Sequence, residues 1–116
     1  MTPEQVVQKQ LDAYSMCDLD AFAATYAPDV KVTDGTGKLV CEGVAQLREI
    51  YGRLFEANPH QIALITKRIA GGDWVIDDET VIGRSDNKTR NAVAIYRVQD
   101  DLITHVTLIA KIAKGA

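Results

Sequence analysis

The sequence predicts an α+β domain in which helices come first and an antiparallel meander follows, with the helices laid on one face of the sheet. Three observations predict it. Apolar residues in the first half recur at helical spacing, beginning with Val7, Leu11 and Tyr14. Four stretches in the second half read as strands. The connections between those four are short and rich in Gly, Asp, Asn and Ser, which is the pattern of strands joined by tight turns.

The first helix opens on Thr2, a good N-cap, with Pro3 at its first position and Gln5 completing a capping box. Gln10 lies on the same stripe as Val7 and Tyr14. It either lines a cavity or sits at the stripe's margin with its amide in water. Asp18 can cap a second, short helix carrying Leu19, Phe22, Ala23 and Tyr26, which Pro28 stops. The strand Asp29 to Asp34 follows, then the turn 35–38 and a short strand Leu39-Val40-Cys41. A third helix runs from about Val44 to Phe55, with Val44, Leu47, Ile50, Tyr51 and Leu54 on its inner stripe. Asn58-Pro59 ends it. The meander strands are Ile62 to Ala70, Trp74 to Gly83, Thr89 to Val98 and Leu102 to Ile112. No repeat, linker or low-complexity tract divides the 116 residues, so one domain over 1–116 is expected.

Composition narrows the classes of function. The net charge is −3 and the 13 Lys and Arg residues are scattered, which argues against nucleic acid as a partner. No apolar stretch is long enough to span a membrane, and the N-terminus lacks a signal-peptide pattern, so a cytoplasmic address is the default. Cys17 and Cys41 read as free thiols, and with His60 and His105 they form no metal signature. There is no GxSxG, HExxH or phosphate loop.

Asp34 is the leading candidate for chemistry. Alternation along its strand puts Val30, Val32 and Asp34 on one face, so an apolar face carries a carboxylate toward the interior. A buried carboxylate has to be paired, hydrogen-bonded or neutralised. The opposing reading makes Asp34 a turn residue that caps backbone N–H groups of 35–37.

Two stretches, Val6 through Cys17-Asp18-Leu19-Asp20-Ala21-Phe22 to Val30, and Glu42-Gly43-Val44-Ala45-Gln46-Leu47-Arg48-Glu49-Ile50-Tyr51, resemble the nuclear transport factor 2-like superfamily. Within it they are similar to the ketosteroid-isomerase and SnoaL-like branch. The resemblance implies a cystatin-like cone, three N-terminal helices packed on a curved antiparallel sheet around a pocket. It also implies a homodimer through the outer sheet face. The isomerase's general base falls on Asp34, while its two oxyanion donors fall on Gln10 and Ala94. Ala94 donates nothing, and loss of one such donor costs about 2.7–4 kcal/mol of transition-state stabilisation, so steroid isomerisation is not the expected activity. Tyr26 and Tyr51 match polar pocket positions and could replace part of the donor set.

The last strand puts Ile103, His105, Thr107 and Ile109 on one face, which the resemblance turns toward the cavity. His105 could relay a proton beside a carboxylate, or be a structural histidine. Ile76, Asp78 and Thr80 share a face of their strand. The resemblance puts Asp78 on the pocket wall, where it could pair with His105 or Arg90. A slip of one residue would exchange it for Asp77 and Glu79. Arg90, Ala92, Ala94 and Tyr96 share a face in which two alanines leave room for a ligand. Arg90 could then hold an anionic group at the pocket mouth, or be a solvated turn charge. Trp74 and Tyr96 read as core or dimer-interface aromatics.

The expectation is therefore a small-molecule pocket acting on a hydrophobic metabolite without metal or organic cofactor. Asp34 would be the base, with Tyr26, Tyr51 or Gln10 on the developing oxyanion and His105 moving the proton. Tyr14, Asp78, Arg90, Ala92, Ala94, Thr107 and Ile109 would line the pocket. The rival is a non-catalytic binding or assembly domain. Under either, Val75, Val81, Val93, Ile95, Val106 and Leu108 would form an outer apolar face for a homodimer.

Overall fold

A computed structural model describes residues 1–111. The proposed last-strand residue Ile112 lies outside them. Thr2 caps α1 (Pro3–Ser15): its hydroxyl accepts from the Gln5 amide at 3.2 Å, and the Gln5 side chain accepts from Thr2 N at 2.9 Å. Asp18 caps α2 (Leu19–Ala23) through the Ala21 amide. Tyr26 does not extend α2. It opens β1 (Tyr26–Asp34), because the Thr25 carbonyl accepts from Ile103 N at 2.9 Å and draws the chain onto the sheet. Pro28 sits inside β1, where the pairing with the last strand is interrupted and its missing N–H forfeits no ladder bond.

β2 (Leu39–Glu42) pairs back on β1, and α3 (Gly43–Ala57) ends at Asn58. Leu47, Tyr51, Leu54 and Phe55 give α3 its inner side. Ile50, placed on that side by spacing, is 41% exposed, because it falls beside the Leu47–Tyr51 row rather than on it. β3 (Ile62–Gly71), β4 (Trp74–Ile82), β5 (Arg90–Gln99) and β6 (Leu102–Ala110) form the antiparallel meander. β1 joins β6 in parallel, giving the order β2-β1-β6-β5-β4-β3. The turn from β5 to β6 holds Asp100 and Asp101 at φ of 53° and 63°, the left-handed pair that a two-residue hairpin requires.

The sheet bends at interruptions of register, at Val32/Thr33, Ile65/Lys67 and Arg97/Val98, and curves around the helices. The core lies in that concavity. Val6, Val7 and Leu11 of α1, Phe22 of α2 and Leu47 of α3 meet Val30, Val75, Ala94, Ile103 and Val106 of the sheet.

The last interruption reverses an expectation. Val98 pairs with Ile103, but Arg97 pairs with His105, so Thr104 is an extra residue in β6. Ile103 is buried, and beyond Thr104 the phase of alternation flips. Val106, Leu108 and Ala110 point inward, while His105, Thr107 and Ile109 point away. On β4 the inward residues are Val75, Asp77, Glu79 and Val81, and Asp78 is outside. The outer face therefore keeps Val93 and Ile95 but not Val75, Val81, Val106 or Leu108. In their place it carries the exposed Leu64, Ile69, Trp74, Ile82 and Ile109.

Candidate functional site

Between the helices and the inner sheet face lies a cavity of about 310 Å³. Every tyrosine of the chain, Tyr14, Tyr26, Tyr51 and Tyr96, is on its wall. Phe22, wholly buried, stands behind three of them: its ring centroid is 4.8 Å from that of Tyr51, 5.1 Å from Tyr26 and 6.1 Å from Tyr14. The closely packed rings fix the tyrosines by their apolar bodies. Leu11, Leu54, Val81 and Ala92 supply greasy wall between them. The exposed Arg90 and Asn91 stand at the mouth.

Among the described residues, the carboxylate on this wall is Glu79. Its neighbours across the sheet are Ile65 on β3 and Ala92 on β5, neither of which offers a side-chain donor. Its Oε2 is buried without a partner. Burial pushes its pKa from 4.5 up to about 7, and the charge of Asp77 adds to the rise. The Tyr96 hydroxyl beside it and, more distantly, Arg68 pull the other way. Asp77 itself is fully buried and held by Arg68, whose Nε and Nη2 reach its two oxygens at 2.6 and 2.9 Å. The hydroxyls of Tyr26, Tyr51 and Tyr96 are raised above the ordinary phenol range, chiefly by burial. They stay protonated and can donate. Gln10 is buried on the same wall with its Oε1 unpartnered. At another part of the wall Arg84 Nη2 donates to the Tyr14 hydroxyl at 3.0 Å, and Tyr14 donates on to Gln61 Oε1 at 3.4 Å.

Asp34 is not in the cavity. Its Oδ1 accepts from Thr36 N at 2.8 Å, Thr36 Oγ1 at 2.6 Å and Lys38 N at 3.1 Å. The Thr36 hydroxyl bond is the main reason its pKa falls below the usual carboxylate range. The turn satisfies the carboxylate before the interior can take it, so the opposing reading of Asp34 as a turn residue is the one realised. His105 is exposed, with Nδ1 3.1 Å from Thr104 Oγ1. Asp78 pairs with Lys111 on the outer face, and Thr107 meets Thr33 there at 3.4 Å. Ile109 is 39% exposed, and Ala94 is buried in the core beside the cavity rather than on its wall. Gln10, Tyr14, Tyr26, Tyr51, Arg90 and Ala92 do line it. Arg90 is exposed and bonded to Asp86 at 2.7 Å.

Sequence reasoning named Glu79 only as the product of a one-residue slip and did not find Arg84. The signal for Glu79 was present, since Val75 and Val81 flank Asp77 and Glu79 on one face. Arg84 carried none, because in a row of residues it is a charge after a glycine in a turn. Among the described residues no group of His, Cys, Asp and Glu is placed to hold a metal ion, and no helix is long and apolar enough to cross a membrane. Cys17 and Cys41 are free thiols.

Known structures of this shape carry several descriptions. An uncharacterised cystatin-fold protein of Novosphingobium aromaticivorans superposes with a TM-score of 0.85 at 23% identity, over 94% of this chain and 98% of that one. A protein of Kribbella flavida, provisionally assigned as a ketosteroid isomerase, gives 0.82 at 20% identity over 98% and 81%. A provisionally assigned polyketide cyclase of Sinorhizobium meliloti gives 0.76 at 24% identity over 90% and 93%. At such identities the likeness establishes the fold and not the chemistry. No curated protein matches the chain. A family model for the SnoaL-like domain matches residues 7–106, and with that match spanning most of its length the chain belongs to the SnoaL-like domain family of the nuclear transport factor 2-like fold.

Proposed function

We propose that the protein is a small-molecule enzyme that moves a proton within its cavity, with Glu79 as the acid–base group. The observation that carries this reading is the Glu79 carboxyl itself: on the cavity wall, one oxygen unpartnered, and poised at about 7. A group that titrates at the working pH accepts and returns a proton with the least thermodynamic penalty. Asp77 has both oxygens engaged by Arg68, and Asp34 holds its turn through Oδ1 out in solvent. Glu79 differs in that its unpartnered oxygen, Oε2, is buried, which suits a group that awaits a substrate.

The substrate is a small, largely apolar carbonyl compound. Ionised Glu79 takes a proton from the carbon next to the carbonyl. The electron pair of that C–H bond moves into an enolate, whose oxygen accepts hydrogen bonds from the Tyr26 and Tyr51 hydroxyls. Protonated Glu79 then returns the proton to the same carbon or to a conjugated one. Return to a conjugated carbon gives the product of an isomerase; a ring-closing enzyme would instead direct the enolate carbon onto a second carbonyl of the same molecule, with protonated Glu79 giving its proton to the resulting alkoxide.

The test needs no knowledge of the natural substrate. Small cyclic ketones are incubated in D₂O, and exchange of their α-hydrogens is followed by proton NMR. Wild-type protein accelerates exchange for ketones that bind, and Glu79→Gln binds them without exchange. Ketones that bind and never exchange would favour the rival reading, a binding domain. We propose further that the outer sheet face joins two copies of the chain.

A further inference from the structure

We propose that the cavity takes hydrophobic molecules bearing a carboxylate, and that Arg84 receives that carboxylate away from Glu79. This rests on the cavity being a small-molecule site and adds the class of molecule. Arg84 lies in the loop between β4 and β5, yet its side chain is on the cavity wall. Its Nη2 is engaged by Tyr14, while its Nε is buried and has no partner. Among the described residues, ion pairs engage Arg48, Arg53, Arg68 and Arg90, and none engages Arg84. A guanidinium offers five donors in a planar fork, always charged. Half-buried, with one donor given to Tyr14 and its buried Nε still without an acceptor, it has donors to spare for a carboxylate, which matches its geometry with two parallel bonds.

The loop around Arg84 is pinned on both sides. Gly83 has φ of +77°, and a Cβ there would lie 2.5 Å from the His60 carbonyl oxygen, so only glycine permits the approach. Ser85 N donates to Asn58 Oδ1 at 3.0 Å, and Ser85 Oγ to the Ala57 carbonyl at 2.6 Å. Asn58 is in turn tied to the Leu54 carbonyl. The loop is thus fastened to the end of α3, and Arg84 is held in place before any ligand arrives. Arg90 has none of this, being exposed and already paired with Asp86.

Glu79 and Arg84 are both on the cavity wall, and no ion pair joins them among the described residues. Tyr14 and Tyr51 both feel Glu79 and Arg84, whereas Asp77 and Arg68 are the charges that act on Glu79. A ligand anchored at Arg84 would run past Tyr14 and Tyr51 toward Glu79.

The test compares 1-naphthylacetate with 1-naphthylacetamide, which share a ring system and differ in charge. Binding to the full chain is measured by calorimetry at about pH 6, where the acid is ionised and Glu79 is largely protonated. Wild type binds the acid roughly tenfold tighter than the amide, the scale of one charge-assisted bond. Arg84→Gln loses that preference while still binding the amide, which shows that it folds. Arg84→Lys recovers part of it. Equal affinities in wild type, or a preference that survives Arg84→Gln, overturn the proposal and leave the cavity reading standing. Failure of wild type to bind either compound overturns both.

Discussion

Asp77 and Glu79 stand two residues apart on the inner face of β4, and only Asp77 has an arginine bonded to it. One carboxylate is neutralised by a fork from Arg68, and Gln8 completes the arrangement by accepting from Arg68 Nη1 at 2.9 Å. The other is left to burial and to the charge of its neighbour, both of which favour its protonated form. A pair of carboxyl groups in divergent surroundings is the usual way one site separates a fixed charge from a titrating group. Asp77→Asn should therefore lower the midpoint of Glu79, which stays above 4.5 because burial is its larger cause. Loss of the ionic partner leaves Arg68 uncompensated at a cost of about 3–5 kcal/mol. Carbon-13 NMR of labelled glutamate reads the midpoint, and urea unfolding reads the stability.

Glu79 also makes a statement about stability against pH. Its folded-state pKa, about 7, lies above the unfolded value of 4.5. Its contribution is then fully present below about 4.5 and lost as pH rises through about 7, since the native state resists ionisation of a buried group. A displacement of that size corresponds to ~3 kcal/mol. Glu79→Gln removes the penalty, so the variant should match wild type near pH 4 and exceed it by up to ~3 kcal/mol near pH 8. Urea titrations at the two pH values test this, and equal stability throughout would mean that Glu79 is solvated.

Ala92 faces Glu79 across the β4–β5 ladder and belongs to the cavity wall. Ala92→Leu adds three carbons where there is empty space, so overpacking should be slight. Its thermal midpoint is expected within roughly 3 °C of wild type, while affinity for cyclic ketones falls by about tenfold or more. Unchanged affinity would put the ligand elsewhere.

The order of elements was legible because it depends on local signals. The capping box at Thr2 and Gln5 and the turn at Asp100-Asp101 each declare themselves within a few residues. The inward and outward faces were less so, because alternation carries no absolute phase. The extra residue at Thr104 reverses β6, and nothing in Leu102-Ile103-Thr104-His105 marks it, since both registers bury one apolar row. β4 is ambiguous for the same reason: Ile76 and Ile82 bracket one face, Val75 and Val81 the other. Arg84 depends on contacts with Ala57, Asn58 and His60 far away in sequence, which no local pattern encodes.

Asp34 supplies a control for the reassignment of the base. Its carboxylate holds the β1–β2 turn through Thr36 and Lys38. Asp34→Ala should loosen that turn and lower the thermal midpoint modestly, with exchange of ketone α-hydrogens unchanged within about threefold. Loss of exchange on the scale of Glu79→Gln would restore Asp34 to the chemistry and displace Glu79 from it.

The outer sheet face gives the final expectation. Val93 and Ile95 share the outer sheet face with the exposed Trp74, Ile82 and Ile109, and among the described residues no helix lies on that face. Arg97 lies over the Trp74 ring at 5.5 Å, with its Nε buried and unpartnered. Apolar surface of this breadth is costly in water and is relieved when two equivalent faces meet about a twofold axis. Light scattering at micromolar concentration should give twice the chain mass. Ile95→Glu places a charge at the centre of that contact, where it would be buried without a partner, and should yield folded monomer with its cavity still able to bind ketones. A wild-type monomer under those conditions, or a dimer indifferent to Ile95→Glu, would remove this face as the point of assembly.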